Sequence, residues 1–492
     1  MEGAPKRHCW ECLRRCLVCD STRPVCRRCS QSGTECPGYG EKPRRLKWLA
    51  PGRVTSHRRR PKRPTETEAA VAENEGTSQD LALSRFKMRT NACAIFEAAE
   101  YFNACIHPEL LPMLGLGPNP EVYPISSALI QRADSVPDHL TLSIVCMTLS
   151  HRIHRIRSDA DRRDLAKKLY RHRGDVLHSL NKDVGSENGM KSDILFASII
   201  SFLLAEIQSG PSPAWRCHLN GVRDLTRLRG GLHAISERKG MTPLIHCYVL
   251  ATVLGDTTSP SSDLAMATWR PDEAKSVLDL FSVDTNPCRT LPSPLFVEII
   301  KINCLRARVG KLNPVDRDDL TEEGYGILAR ITQFCRQGWV ASKPTSSTAD
   351  WLVLCEIHEC AVALYCILSL QSVSVLPRTT DLKNFARTCA TRLWQLLPQA
   401  LASSMTRLSV LWPLVVLGVE AAESVQGMAM QAFVRAALLG MSHYVGSYAP
   451  RAAAAVLQRY WASGKRRWDE CFDQPHLFLA QTAVDVSGIS IV

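Results

Sequence analysis

Six of the seven cysteines between Cys9 and Cys36 repeat one spacing twice: Cys9-x2-Cys12-x6-Cys19, then Cys26-x2-Cys29-x6-Cys36, with Cys16 as the seventh. A separation of three places two side chains on one face of a helical turn, and a separation of seven returns to that face two turns later. Each half can therefore grip metal from one short helix. Soft thiolates select zinc, bound tetrahedrally at Zn–S distances near ~2.3 Å. Six thiolates cannot give two zincs four separate ligands apiece, so a two-zinc arrangement requires two bridging sulfurs. The same thiols admit other groupings, with Cys9, Cys12, Cys16 and Cys19 on one metal, or Cys16, Cys19, Cys26 and Cys29. The segment 9–36 is expected to be a small two-helix unit organised by metal.

The chain has 492 residues and 20 cysteines, and the thirteen beyond Cys36 are scattered without pattern. That distribution fits buried thiols in a reducing compartment better than a disulfide scaffold. Charge is equally uneven. Residues 1–63 hold seventeen Lys and Arg against five Asp and Glu, and the remaining chain holds 43 of each sign. A basic segment on a neutral body is the electrostatic footprint of a polyanion-binding arm. It lacks the amphipathic apolar face that attachment to an anionic membrane needs.

Residues 37–63 form a Pro-, Gly- and Arg-rich arm, in which Lys42, Arg44, Arg45 and Lys47, with Arg53, are expected to follow the phosphates of a polyanion. Arg58, Arg59, Arg60, Lys62 and Arg63 also fit a nuclear-import signal. Residues 64–80 carry five acidic side chains and no basic one, which predicts a flexible, solvated linker. The body, 81–492, follows.

With the thiol spacings, Asp20 after the third ligand, Pro24 in the connecting loop and Gly38-Tyr39 after Cys36, the segment CWECLRRCLVCDSTRPVCRRCSQSGTECPGY resembles the fungal binuclear zinc-cluster DNA-binding domain. The resemblance implies two zinc ions per chain. Cys9 and Cys26 would bridge, Cys12 and Cys19 would complete one site, and Cys29 and Cys36 the other. Two Zn²⁺ with six thiolates keep two net negative charges, which Arg14, Arg15, Arg27 and Arg28 are placed to offset. The resemblance further implies a nuclear, sequence-specific regulator of RNA polymerase II genes, whose partners are double-stranded DNA, CGG-type sites included, and the transcription machinery or co-regulators. In that family the first helix reads bases in the major groove. Arg15 stands one position before the lysine that usually does so, a bidentate guanine contact is open to it, and Cys16 occupies the lysine's place. Leu13 and Val18 stand at two other commonly basic positions. These departures sustain an alternative: a zinc-stabilised co-regulator acting through protein contacts without reading bases.

The body reads as helical. Asp193 is expected to cap an apolar helix from Ile194 to Ile207 that stops at Gly210. A second helix from Ala214 places Trp215, Leu219, Val222, Leu225 and Leu228 on one stripe, opposite Arg216, Arg223 and Arg227, and ends at Gly230-Gly231. Similar periods recur to Tyr444, and alternating strand patterns are scarce, so a large all-α domain without a fixed repeat is predicted. Ala214 to Gly221 with Arg229 to Gly231, and Glu97 to Leu111, are similar to motifs of the second type of fungal-specific transcription factor domain, a regulatory helical domain. Trp215 and Leu219 are expected in the core.

Trp351 to Leu370 is the most apolar stretch, but it carries Glu356, His358 and Glu359. Val410 to Val419 is short and contains Pro413, so both are expected to be buried helices and no membrane partner is predicted. Met1 to Trp10 lacks a secretory apolar core. No sustained heptad follows Cys36, so any dimer is expected to use the body. No catalytic constellation stands out: His151 and His154 lie among arginines, and Gly464-Lys465 lacks the flanking residues of a phosphate loop. Asp469, Glu470 and Asp473 with Phe472, Leu477 and Phe478 admit an acidic-hydrophobic activation surface, although a packed final helix is the preferred reading.

Overall fold

The computed structural model describes Cys9, Cys12, residues 19–34, Cys36, 91–119, 122–131, 136–156, 158–211, 215–282, 291–309, 317–343, 347–480 and 483–489. The chain divides into two compact units, Met1–Ser78 and Gln79–Val492. In the first, one helix is described beyond Cys12, α1 (Arg27–Gln31).

The second unit is all-α, with no strand among the described residues. Its principal helices are α2 (91–101), α3 (Asp138–Arg155), α4 (Asp159–Val184), α5 (Asp193–Ser209), α6 (Trp215–Leu228), α7 (Thr242–Thr257), α8 (Ser293–Val309), α9 (Thr348–Ser372), α10 (Thr380–Ala402), α11 (Leu411–Glu420), α12 (Gly427–Val445), α13 (Ala449–Ser463) and α14 (Trp468–Cys471). One contiguous apolar core runs from Ile95 to Ile489.

α5 is apolar on nearly every side and buried on nearly every side. Its cap is Ser192, not Asp193: Ser192 is extended and its Oγ accepts the Ile194 N–H at 3.2 Å. Asp193 enters the first turn, where negative charge suits the helix dipole, and its carboxylate pairs with Arg229 and Arg238. α6 buries Trp215, Leu219, Val222 and Leu225, whereas Leu228, its last residue, is 71% exposed. The opposite arginines do not simply face water. Arg216 pairs with Asp263, Arg223 donates to Thr268, and Arg227 forks onto Glu273.

α9 has a mean hydropathy of 1.7 over its most apolar window and is long enough to cross a membrane, yet most of that window is buried in protein. It packs on α8, α10 and α11, and Glu356 on its flank pairs with Arg336 and Arg392. It is the core helix of this unit. After α14 no further helix occurs among the described residues. Phe472, Leu477, Phe478, Leu479 and Val484 are buried, and Tyr123 Oη donates to the Val484 carbonyl at 3.0 Å.

Candidate metal centre

The two halves of the cysteine repeat build the same local device. Cys26 caps α1 through sulfur, accepting the Cys29 N–H at 3.3 Å, and Cys9 Sγ accepts the Cys12 N–H at 3.3 Å. Asp20 braces the second half: its carboxylate accepts the Arg27 N–H at 3.2 Å and the Thr22 hydroxyl. The Thr22 hydrogen bond holds the Asp20 carboxyl below the usual range. After α1, Gly33 adopts φ 65°, open to glycine at little cost, and the Thr34 N–H closes on the Cys29 carbonyl at 3.0 Å, turning the chain toward Cys36.

Sulfur spacing follows. Cys9 and Cys26 are fully buried with Sγ atoms 3.6 Å apart, Cys9 to Cys29 and Cys12 to Cys26 are 3.7 Å, and Cys12 to Cys29 is 3.9 Å. A tetrahedral ion with bonds near ~2.3 Å sets sulfur–sulfur edges of about 3.8 Å. The donor set therefore fits such an ion. The sulfurs of Cys9, Cys12, Cys19 and Cys26 lie within 4.8 Å of one another, as do those of Cys9, Cys26, Cys29 and Cys36. Cys9 and Cys26 belong to both groups.

Burial pushes the Cys9 and Cys29 thiols up and Cys12 up to about 12. Such thiols keep their protons unless a cation compensates, so a metal held by these sulfurs would have to displace those protons. Arg27 and Arg28 are exposed on α1. Cys16, Leu13, Val18, Arg14, Arg15, Lys42, Arg44, Arg45, Lys47, Arg58, Arg59, Arg60, Lys62 and Arg63 lie outside the described residues, and with Cys16 so do the alternative groupings that use it.

The pattern of the fungal specific transcription factor domain matches residues 108–480. A Leptosphaeria maculans protein described as a phomenoic acid biosynthesis cluster-specific transcriptional regulator is 38% identical over 491 residues, covering 99% of this chain and 91% of that protein. The chain belongs to the fungal specific transcription factors of the zinc-cluster type. It is a transcriptional regulator and not an enzyme. No solved structure matches it.

In this fungal regulator the paired histidines of α3 are structural. His151 Nδ1 meets Tyr101 Oη at 2.9 Å, and burial pushes its imidazole down to about 3. Burial also lowers His154. Gly464 is the left-handed end of α13, with φ 72°. The buried Arg306 holds the Asp469 carboxylate, which keeps 21% side-chain exposure, so the first member of the C-terminal acidic cluster is committed to an internal ion pair. Sequence reasoning missed this network. Arg306 donates to the Asp256 and Ser259 carbonyls and to Tyr365 Oη, while the Asp256 carboxylate accepts the Ala265 and Met266 N–H groups. An arginine within the apolar pattern of α8 was the available signal.

Proposed function

We propose that this fungal regulator is a sequence-specific DNA-binding factor for RNA polymerase II genes, and that residues 9–36 enter the major groove as a two-zinc, six-cysteine cluster. The observation that carries the reading is the pair of four-sulfur groups overlapping at Cys9 and Cys26. Two zinc ions would be held with those two sulfurs bridging, Cys12 and Cys19 completing one site, and Cys29 and Cys36 the other. Their charge would neutralise most of the thiolate charge and lock the two halves together.

Arg14, Arg15, Arg27 and Arg28 are the cluster's DNA contacts. Lys42, Arg44, Arg45 and Lys47 on the 37–63 arm add phosphate contacts, which position the module and weaken with salt. Arg58, Arg59, Arg60, Lys62 and Arg63 direct the protein to the nucleus. The acidic linker 64–80 separates this apparatus from the regulatory body, 81–492, through which any dimer forms and co-regulators are met. The description of the Leptosphaeria maculans relative supports control of a biosynthetic gene cluster as the target class.

Metal analysis and binding-site selection on the full chain test the reading together. Two zincs per chain and enrichment of a short CGG-containing motif are expected. A single zinc excludes the cluster, and two zincs without any enriched motif leave a co-regulator acting through protein contacts.

A further inference from the structure

Beyond α14 the described residues are fastened to the helical body at two places. At the first, the His476 N–H donates to the Thr258 carbonyl at 3.0 Å, and the His476 carbonyl accepts Thr258 Oγ1 at 2.7 Å. At the second, Tyr123 Oη donates to the Val484 carbonyl at 3.0 Å. Between these anchors Phe478, Leu479, Ala480 and Ala483 form one wall of a cavity of about 100 Å³. Leu250 and Leu254 of α7, Met113, Leu291, and Leu411 and Trp412 of α11 form much of the rest. Trp412 is itself fixed, because its Nε1–H donates to Thr257 Oγ1 at 2.9 Å. Protein interiors hold few voids larger than a water molecule. Here the two anchors keep the C-terminal strap from settling onto α7 and α11, so the space is built into the fold.

The walls are selective. Among the described lining residues there is no Lys, Arg, Asp or Glu, and only His358 and Ser409 have polar side chains. Neither offers a ligand a free group. His358 is bonded through Nδ1 to the Leu354 carbonyl at 2.8 Å and also to the Ser409 backbone, and Ser409 Oγ is inaccessible to solvent. Burial pushes the imidazole down to about 4, so it carries no charge near pH 7. An ion entering this space would shed its hydration without gaining a counter-charge, and a sugar would strand its hydroxyls. A hydrocarbon has no such group to strand.

We propose that this cavity binds a small uncharged apolar molecule, a single hydrocarbon ring or a short alkyl group, packed between Trp412 and the Phe478–Leu479 side of the strap. Apolar cavities of about 150 Å³ hold a benzene ring. This one is smaller but not sealed, with Leu250, Leu408 and Ala480 half-buried at its edge, so a ring seats with one side at the mouth. Once bound, the ligand ties the C-terminal strap to α7 and α11.

Calorimetric titration of the full chain with benzene, and with benzoate and benzylammonium as charged counterparts, tests the assignment. Saturable binding of one benzene per chain is expected, with both ions weaker by about tenfold or more. Ala480→Leu adds bulk at the mouth and should weaken benzene by about tenfold. Met113→Ala enlarges the cavity and should bind naphthalene about tenfold more tightly than wild type does. Melting temperature and circular dichroism verify the fold of each variant. Absence of saturable benzene binding to the wild-type chain overturns the proposal, and either ion bound as tightly as benzene overturns the uncharged class. An Ala480→Leu chain that binds benzene like wild type, or a Met113→Ala chain that binds naphthalene no better than wild type, overturns the site.

Discussion

Arg306, with no solvent exposure, donates from Nη2 to the Asp469 carboxylate at 2.9 Å and so fastens α14 to α8. The same carboxylate accepts the Ser261 N–H at 2.9 Å, and Trp468 beside it donates to the Thr257 carbonyl. A buried guanidinium stripped of its counter-charge is destabilising by ~3–5 kcal/mol. Asp469 keeps 21% side-chain exposure, so Asp469→Ala is expected at the lower end, about 3 kcal/mol. Urea unfolding of the full chain followed by circular dichroism measures it. A loss under about 0.5 kcal/mol, typical of a surface substitution, would return Asp469 to the surface.

The sulfur geometry makes two classes of cysteine distinguishable by metal count. Cys9→Ser or Cys26→Ser removes a member common to both four-sulfur groups, whereas Cys12→Ser or Cys36→Ser touches one group only. Native mass spectrometry of the full chain should show the shared-position variants losing both zincs and the outer-position variants retaining one. Equal losses from all four would contradict bridging.

The cysteine centre was legible because its information is local. Spacing within two short turns brings the thiols of each half together but leaves several groupings open, and the two four-sulfur groups overlapping at Cys9 and Cys26 are seen in the structure. The helical body was legible for a similar reason, since a period of three and four survives whatever each helix packs against. Long-range pairings were not. Arg306 reaches Asp469 across 163 residues and His476 meets Thr258 across 218, and no period encodes either partner. The cap of α5 was misplaced by one residue because Ser192 and Asp193 are both good capping types, and Asp193 is claimed by Arg229 and Arg238 from farther along the chain.

Two left-handed glycines separate backbone strain from crowding. Gly464 has φ 72° and open space where a Cβ would project, whereas Gly446 has φ 63° and a Cβ there would come within 2.3 Å of the His151 ring. Gly464→Ala should cost about 1–2 kcal/mol for the left-handed conformation alone. Gly446→Ala adds overpacking, a further ~1–3 kcal/mol. Chemical denaturation of both variants tests the ordering, and equal costs would mean that the α12–α13 turn moves freely away from His151.

His358 is buried on α9 and its Nδ1 meets the Leu354 carbonyl at 2.8 Å. Burial pushes it from 6.5 down to about 4. Between those values the unfolded chain binds a proton that the folded chain refuses, so stability is complete above pH 6.5 and falls as pH drops toward 4. The slope for one proton is about 1.4 kcal/mol per pH unit. His358→Leu removes this group, and its stability should therefore fall less steeply than that of wild type across this window. The difference of urea midpoints between the two chains at pH 7 and pH 4.5 isolates the effect from the other titrating groups, and parallel pH curves would place His358 in contact with solvent.

The proposed division of labour between cluster and arm yields opposite signatures for two arginines. A bidentate Arg15 contact to guanine discriminates one base by about 1–3 kcal/mol, so Arg15→Ala should flatten the sequence preference at one position of the selected motif. Arg45, as a phosphate contact, carries no sequence information, and Arg45→Ala should weaken every duplex alike. It should also reduce the dependence of log K on log salt by about 0.9. Titrations of matched and scrambled duplexes across a salt series read both quantities on the same protein. If the two variants lose affinity equally on matched and scrambled DNA, with equal changes in salt slope, Arg15 is a phosphate contact too, and base reading must come from another side chain or from DNA shape.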